Sequence, residues 1–340
     1  MHKLQDYGIN GSLLEWINSF LTQRSQRVVV DGESSEWVPV RSGVPQGTVL
    51  GPLLFLTFIN DIPNGVSSHL RLFADDCLMY RTISDASDNT KLQEDLDRLH
   101  QWSQTWQMKF NSDKCYIMHF TLRRNIICSD YFLGGRKLGT VTSYPYLGLT
   151  FSSDMSWNKH IDKITSRANR MLGLVRRNLR KCSAKIRQQA YISLVRPHLE
   201  YCCPIWNPHS KKNVTRIEAI QRRAARFVLQ QYEYRDSVSA MLRTLEWDSL
   251  ERRRQAASLV LLYKMRNGIV AVDTEQFVSE ALPSGTRSYH PCKYQLVPAR
   301  TQLYANSFVP RSVRWWNSLP GDILLSPSVE VFKNAVTAFI

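Results

Sequence analysis

The sequence predicts an α+β fold in two regimes, helices and short hairpins mixed as far as residue 156 and helices almost throughout beyond it. Three observations predict it. In the first part apolar residues alternate with polar ones on either side of turn-forming pairs, whereas beyond Trp157 they recur every three or four residues. A composition that is 43% hydrophobic over 340 residues can fill the cores of roughly two domains, at about 150 residues each. The formal charge of +15, from 44 basic and 29 acidic residues, is concentrated: Trp157 to Arg226 holds 17 Lys or Arg against Asp162, Glu200 and Glu218, a surplus of 14.

Taken in order, the opening stretch places Leu13, Leu14, Ile17, Phe20 and Leu21 at helical spacing, with Ser12 as its N-cap. Two β-rich arms then flank Asp31-Gly32, the pair that closes tight hairpins. A loop with glycines and prolines runs from Ser42 into an apolar helix that ends near Pro63. LRLFADDCLMY follows as a second hairpin, with Asp75-Asp76 at its bend. Leu92, Leu96, Leu99, Trp102 and Trp106 step by three or four and mark an amphipathic helix, with both tryptophans on its core stripe. Asn111 to Phe120 returns to strand-like alternation, and SYPYLGLTF reads as a short strand around Gly148.

Beyond Trp157 the helical stripes are Ile161, Ile164, Ala168, Met171 and Val175, then Ile186, Ala190 and Leu194, then Val214, Ile217, Ala224 and Phe227. Helical patterning continues from Tyr232 to Gly268 and fades into loop from Val270 to Tyr304. A compact apolar cap closes the sequence, with a final helix after Ser326. No run of about 18 apolar residues and no secretion signal is read, so the protein is expected inside the cell, in nucleus or cytoplasm, and not in a membrane. Seven cysteines at irregular spacing argue against a disulfide framework. Cys202 and Cys203, with His198 and His209 nearby, read as buried thiols on a helix, because adjacent cysteines lack the turn-like spacing of a zinc site.

Three groups of residues carry chemistry. Asp75 and Asp76 lie between arms too apolar to supply a cationic partner other than Arg71, so a hard divalent cation such as Mg²⁺ would suit them; the bland alternative is an ordinary Asp turn. The loop SGVPQGTVLGP, with Gln46 at its centre, either lets backbone approach a nucleotide or template strand or is only a helix entry; it lacks the Gly-Lys-Ser/Thr of a Walker loop. The basic block is either a solvated face or a surface for a polyanion.

SGVPQGTVLGPLLF (residues 42–55), then Asn60-Asp61-Ile62-Pro63, then Phe73-Ala74-Asp75-Asp76, resemble in order and spacing the reverse transcriptases of non-LTR (LINE-type) retrotransposons. The likeness continues through WSQTWQMKFNSDK (102–114) and YLGLTF (146–151), and the helical block and SFVPRSVRWWNSLP resemble the later parts of the same elements. It implies an incomplete polymerase palm, an antiparallel sheet with helices, over 1–156; a basic helical thumb over 157–230; and a helical and loop extension over 231–340. The implied activity is RNA-directed DNA polymerase, with an RNA template, a DNA primer and two Mg²⁺ ions.

By this resemblance Asp75 and Asp76 are metal ligands, and Lys114 is a proton donor, although one Lys at a strand start is as readily a surface residue. Ser42, Gly43, Pro45, Gln46 and Gly47 contact nucleotide and template, and Tyr146, Leu147 and Gly148 hold the primer end. Arg176, Arg177, Arg180, Lys181, Arg222, Arg223 and Arg226 form the basic face that grips phosphates. The family carries a further Asp upstream of a segment like LQDYGI, and this sequence starts inside that segment, with neither Asp6 nor Asp31 suited to replace it. The expectation is a fragment inactive alone and poorly soluble, or a nucleic-acid-binding remnant or domesticated protein without chemistry.

Overall fold

The computed structural model describes residues 1–122, 127–233, 235–272, 274–281, 290 and 292–340. Part of the 270–304 loop expected from the sequence lies outside them. The chain divides into two compact units, Met1–Ile117 with Leu122–Val141, and Met118–Thr121 with Thr142–Ile340.

The first unit is a succession of helices and two-stranded ribbons: α1 (His2–Asp6), α2 (Gly11–Leu21), β1 (Arg24–Gln26), β2 (Val29–Val30), β3 (Glu33–Ser34), β4 (Val38–Val40), α3 (Leu50–Ile59), β5 (His69–Phe73), β6 (Asp76–Tyr80), α4 (Ala86–Thr105), β7 (Tyr116–Ile117), β8 (Phe132–Leu133), β9 (Arg136–Lys137) and β10 (Gly139–Thr140). The N-cap of α2 is Asn10, and Ser12 lies inside the helix. The hairpin at Asp31-Gly32 is present, with Val30 opposite Glu33 and both turn residues left-handed at φ 52° and 91°. Among the described residues strands pair antiparallel as β1–β4, β2–β3, β5–β6 and β8–β9, and parallel as β7–β10.

Where the sequence suggested one antiparallel sheet, the described strands form separate ribbons, and no third strand joins β5–β6 among them. Their burial follows from this. Three small cores serve the unit, the central one holding Ile59, Ile62, Leu70 and Leu99. Lys3 ties α1 to this core: its Nζ donates to Asp61 Oδ1 at 2.6 Å and lies 3.8 Å from the centre of the Trp106 ring and 4.8 Å from that of Trp102. Desolvation of the ammonium is offset by the carboxylate and the ring faces.

The second unit opens with a hairpin, β11 (Ser143–Tyr146) and β12 (Leu149–Ser152), and continues as α5 (Asn158–Asn178), α6 (Ala184–Ala190), a π-helical turn Tyr191–Val195, α7 (Pro197–Glu200), α8 (Cys203–Trp206), α9 (Lys211–Leu229), α10 (Val238–Thr244), α11 (Leu250–Arg266), α12 (Gln302–Ala305), α13 (Phe308–Asn317), α14 (Gly321–Leu324) and α15 (Val329–Phe339). Ser210, Ser249 and Ser328 accept from backbone N–H groups at the starts of α9, α11 and α15, satisfying donors a helix start leaves open. SYPYLGLTF is therefore a hairpin rather than one strand, because Leu147 (φ 46°) and Gly148 (φ 83°) turn the chain between Tyr146 and Leu149. One core runs from Leu149 through α5 and α9 to Leu250, and crosses residue 230 without interruption. A second core joins α11, α13 and α15 around Trp316 and Phe332.

His160 sits in the first of these cores, 1% exposed, its Nδ1 accepting from the Thr150 N–H at 3.2 Å while its buried Nε2 meets no partner. Burial first, and Lys163 second, lower its pKa from 6.5 to about 4. An unfolded chain then binds a proton that the folded one refuses. Stability is complete above about pH 6.5 and falls as pH drops toward 4, by roughly 3 kcal/mol for this group. Urea titrations from pH 7 to 4 should show that loss, and His160→Gln should abolish its steep part.

Candidate functional site: an acidic hairpin and a basic helical face

Ladder pairing builds the acidic hairpin. In β5–β6, Phe73 pairs with Asp76 and Leu72 with Cys77, so the two-residue bend is Ala74-Asp75 and Asp76 opens strand β6. The sequence placed both aspartates in the bend; the register puts only Asp75 there. Ala74 takes φ 49°, a left-handed conformation that costs a residue with a Cβ about 1 kcal/mol or more. Leu70, Leu72 and Met79 turn one face into the central core. Asp76, Phe73, Arg71 and Leu78 share the other, and Phe73 is 62% exposed.

Asp95 of α4 fixes the hairpin's entry. Its fully buried carboxylate accepts from the backbone N–H groups of Ser67 and Ser68 at 3.0 and 2.7 Å and from Arg98 Nη1 at 2.8 Å. Burial alone would raise its pKa, but the bonds from Ser67 and Ser68 prevail and hold it below the ordinary carboxylate value. Sequence reasoning missed Asp95. An acid three residues after Leu92 and directly before Leu96, on an otherwise apolar stripe, was the available signal.

Asp75 and Asp76 are both exposed, and neither side chain meets a hydrogen-bond or ion-pair partner among the described residues. Arg71, the one cation expected to reach them, bonds instead to the Leu70 carbonyl at 3.0 Å. Among the described residues no group of three His, Cys, Asp or Glu could hold a metal ion. Two adjacent carboxylates are too few for a pair of divalent cations, which need oxygen donors on both sides. These residues fit one side of such a centre and not the whole of it.

The 42–47 loop is shaped by Gly43 (φ 79°) and Gly47 (φ 80°) and held by Arg24, whose Nη2 donates to the Gly43 carbonyl at 2.6 Å. Thr48 Oγ1 donates to the Pro45 carbonyl at 2.9 Å and accepts from the Gly51 N–H, closing the loop onto α3. A Cβ at Gly51 would stand 2.6 Å from the Pro45 oxygen, so the close approach requires glycine. Ser42, Gly43, Gln46 and Gly47 are exposed and Pro45 half-buried, and the Gln46 amide has no partner among the described residues. The other end of α3 packs Phe55 and Phe58 on the hairpin's core, so one helix carries both loop and hairpin. Lys114, exposed, ends a 3₁₀ turn Ser112–Lys114, whose successors Cys115 and Ile117 pack with Met79 of β6.

The basic face is a property of α5. Lys159, Lys163, Arg167, Arg170 and Arg177 are exposed, and at 3.6 residues per turn they fall within about 80° of arc along about 27 Å of helix. Lys159 reaches the hydroxyls of Thr142 and Ser143 at 3.4 and 3.2 Å. The other four meet no carboxylate among the described residues, since Asp162 is paired with Arg216 at 2.6 Å. The basic face expected from the sequence included Arg177 of this row but not the four residues before it, although their spacing of three and four is readable in the sequence.

Of the residues expected on this face, Arg176, Arg180, Lys181, Arg222 and Arg223 are exposed, and Arg223 bonds to Asn169 of α5 at 2.6 Å. Arg226 is half-buried, with its Nε enclosed and without a partner. It packs as part of α9. The thiols read as lying on one helix do not: Cys202 is left-handed (φ 50°) between α7 and α8, and buried Cys203 begins α8. No described helix is long and apolar enough to cross a membrane.

Residues 1–151 match the family model for reverse transcriptase (RNA-dependent DNA polymerase). The chain is 30% identical over 224 residues to an RNA-directed DNA polymerase from the mobile element jockey of Drosophila melanogaster, covering 62% of this chain and 24% of that protein. It is 29% identical over 221 residues to a probable RNA-directed DNA polymerase from transposon X-element of the same species, with the same shares covered. It is also 29% identical over 212 residues to a retrovirus-related Pol polyprotein from the type-1 retrotransposable element R2 of Popillia japonica, covering 56% and 33%. The chain spans about a quarter to a third of the length of these curated relatives.

Proposed function

We propose, from the premise that residues 1–151 carry a reverse transcriptase domain homologous to those of non-LTR retrotransposons, that this chain is the primer- and template-holding part of an RNA-directed DNA polymerase. On its own it binds an RNA template and DNA primer without extending the primer. The observation that carries this is the pair Asp75 and Asp76, exposed and unneutralised, with no third donor gathered beside them among the described residues. A divalent ion such as Mg²⁺ would be held from one side by these carboxylates and would supply charge neutralisation at the reacting phosphate.

Within this reading the loop at Ser42 to Gly47 faces the incoming nucleotide and template with backbone and the Gln46 amide, and Lys114 is the proton donor to the leaving group. Tyr146, Leu147 and Gly148 support the primer end, and α5 with Arg222 and Arg223 neutralises duplex phosphates. The palm is residues 1–156, the thumb 157–230 and the extension 231–340. An intracellular setting, nuclear or cytoplasmic, accords with seven free cysteines.

Primer extension by the purified chain with dNTPs and Mg²⁺ tests the proposal. The expected result is binding of primer-template with no synthesis above that of Asp75→Asn. Robust synthesis that Asp75→Asn abolishes would refute the inactivity, and failure to bind primer-template would refute the assignment altogether.

A further inference from the structure

Tyr201 lies between α7 and α8 and is 56% exposed, and yet its N–H, carbonyl and hydroxyl are all hydrogen-bonded. Its carbonyl accepts from the Nε1–H of fully buried Trp206 at 2.7 Å, and its N–H donates to the Pro197 carbonyl at 3.0 Å. Its hydroxyl donates to the Leu147 carbonyl at 3.1 Å. Its ring lies against Gly148, where a Cβ would come within 3.0 Å of it. Two left-handed residues in succession, Leu147 and Gly148, present the turn to the ring, and left-handed Cys202 turns the chain away behind it.

Such strain persists only where surrounding structure enforces it. Here it produces a rigid aromatic surface joined to a hairpin tip. α5, which carries the row of cations, packs against α7, the helix that leads into Tyr201, and its Arg167 lowers the pKa of His198 on α7, after burial, the larger cause. A fixed, exposed ring beside unneutralised cations is how proteins hold single-stranded or terminal bases, since every base offers a π-face.

We infer that Tyr201 and the Leu147-Gly148 turn together form a stacking platform for the terminal nucleotide of a nucleic-acid strand, the ring touching the base or sugar and the turn setting its height. This rests on the proposed primer-holding role of Tyr146 to Gly148, and it adds a contact from a different part of the chain. Removing the ring should weaken binding of a recessed 3′ end by about 5- to 150-fold, the range of base–aromatic stacking.

The test uses the full chain with a DNA primer annealed to an RNA template, carrying 2-aminopurine at the primer's 3′ terminus. Binding should quench the 2-aminopurine in the unsubstituted protein and in Tyr201→Phe, which keeps the ring. Tyr201→Leu should lose both the quenching and the affinity for the recessed end, with affinity for a blunt duplex little changed. Equal quenching and affinity in Tyr201→Leu would overturn the inference, as would equal losses in Tyr201→Phe, which would trace the effect to the hydroxyl's bond with Leu147.

Should Tyr201→Leu not fold, photocrosslinking of a 3′-terminal 5-iodouracil to the unsubstituted chain decides. Attachment at Tyr201 supports the platform, and attachment only elsewhere overturns it. If the unsubstituted chain binds no primer-template at all, it is the proposed function that fails, an outcome separate from a bound complex indifferent to Tyr201.

Discussion

Replacing Lys159, Lys163, Arg167, Arg170 and Arg177 together by alanine is expected to lower the slope of log affinity against log salt for duplex nucleic acid by about 4 to 5. Each phosphate contact releases counterions worth about 0.9 in that slope. The five side chains share one side of α5 over about 27 Å of its length, so one duplex can meet them together. Over a fourfold rise in salt such a slope difference amounts to more than two orders of magnitude in affinity. Alanine is a strong helix former, so α5 should survive the changes. Fluorescence anisotropy between about 50 and 200 mM salt, the range over which such contacts show their effect, provides the measurement. Replacing Lys264 and Lys333, which belong to α11 and α15, is the control. An unchanged slope in the fivefold variant would remove α5 from the binding surface.

Arg311→Ala is expected to destabilise the helical unit by about 4 kcal/mol or more, enough to leave a marginally stable domain largely unfolded. Arg311 is 5% exposed, and it donates to the carbonyls of Asn207 at 2.7 Å, Asn306 at 2.8 Å and Pro204 at 2.9 Å. Burial first, and then Arg314, lower its pKa to about 10, so it stays charged at neutral pH. No carboxylate pairs with it among the described residues; carbonyl dipoles carry the charge. Removing the side chain strands the carbonyl of buried Asn207, at about 1–3 kcal/mol, takes the donor from the carbonyls of half-buried Pro204 and Asn306, and opens a cavity besides. Arg311→Lys keeps the charge but not the planar fork and should recover only part of the loss. Urea unfolding followed by circular dichroism gives the values, and a change under about 1 kcal/mol would show that water replaces the guanidinium at little cost.

Much of this was legible in the sequence where a local rule decided it. The Asp31-Gly32 turn, the stripe through Leu92 to Trp102 and the helices after Trp157 follow from turn chemistry and periodicity, and tertiary packing did not overrule them. The register of the acidic hairpin was not legible, because LRLFADDCLMY permits the bend at either of two positions and only the pairing of Phe73 with Asp76 chooses. Leu147-Gly148 lacks the Asn or Asp that announces a tight turn, and so it read as continuous strand. The burial of Arg311 and Lys3 carries no local signal in the sequence. Their burial depends on carbonyls and rings more than fifty residues away, which no window along the chain contains.

The contrast between the cores has a consequence for how the chain breathes. The acidic hairpin rests on Ile59, Ile62, Leu70 and Leu99 and belongs to no wider sheet, whereas α5 and α9 share a core continuous from Leu149 to Leu250. Local opening follows such differences in burial. Amide protons of β5 and β6 are therefore expected to exchange with solvent faster than those of α5 and α9, which hydrogen exchange followed by mass spectrometry would read. The carboxylates are mounted on a ribbon supported by a small core. A ligand that engages them would slow exchange there first, and would spend part of its binding energy on stilling the hairpin.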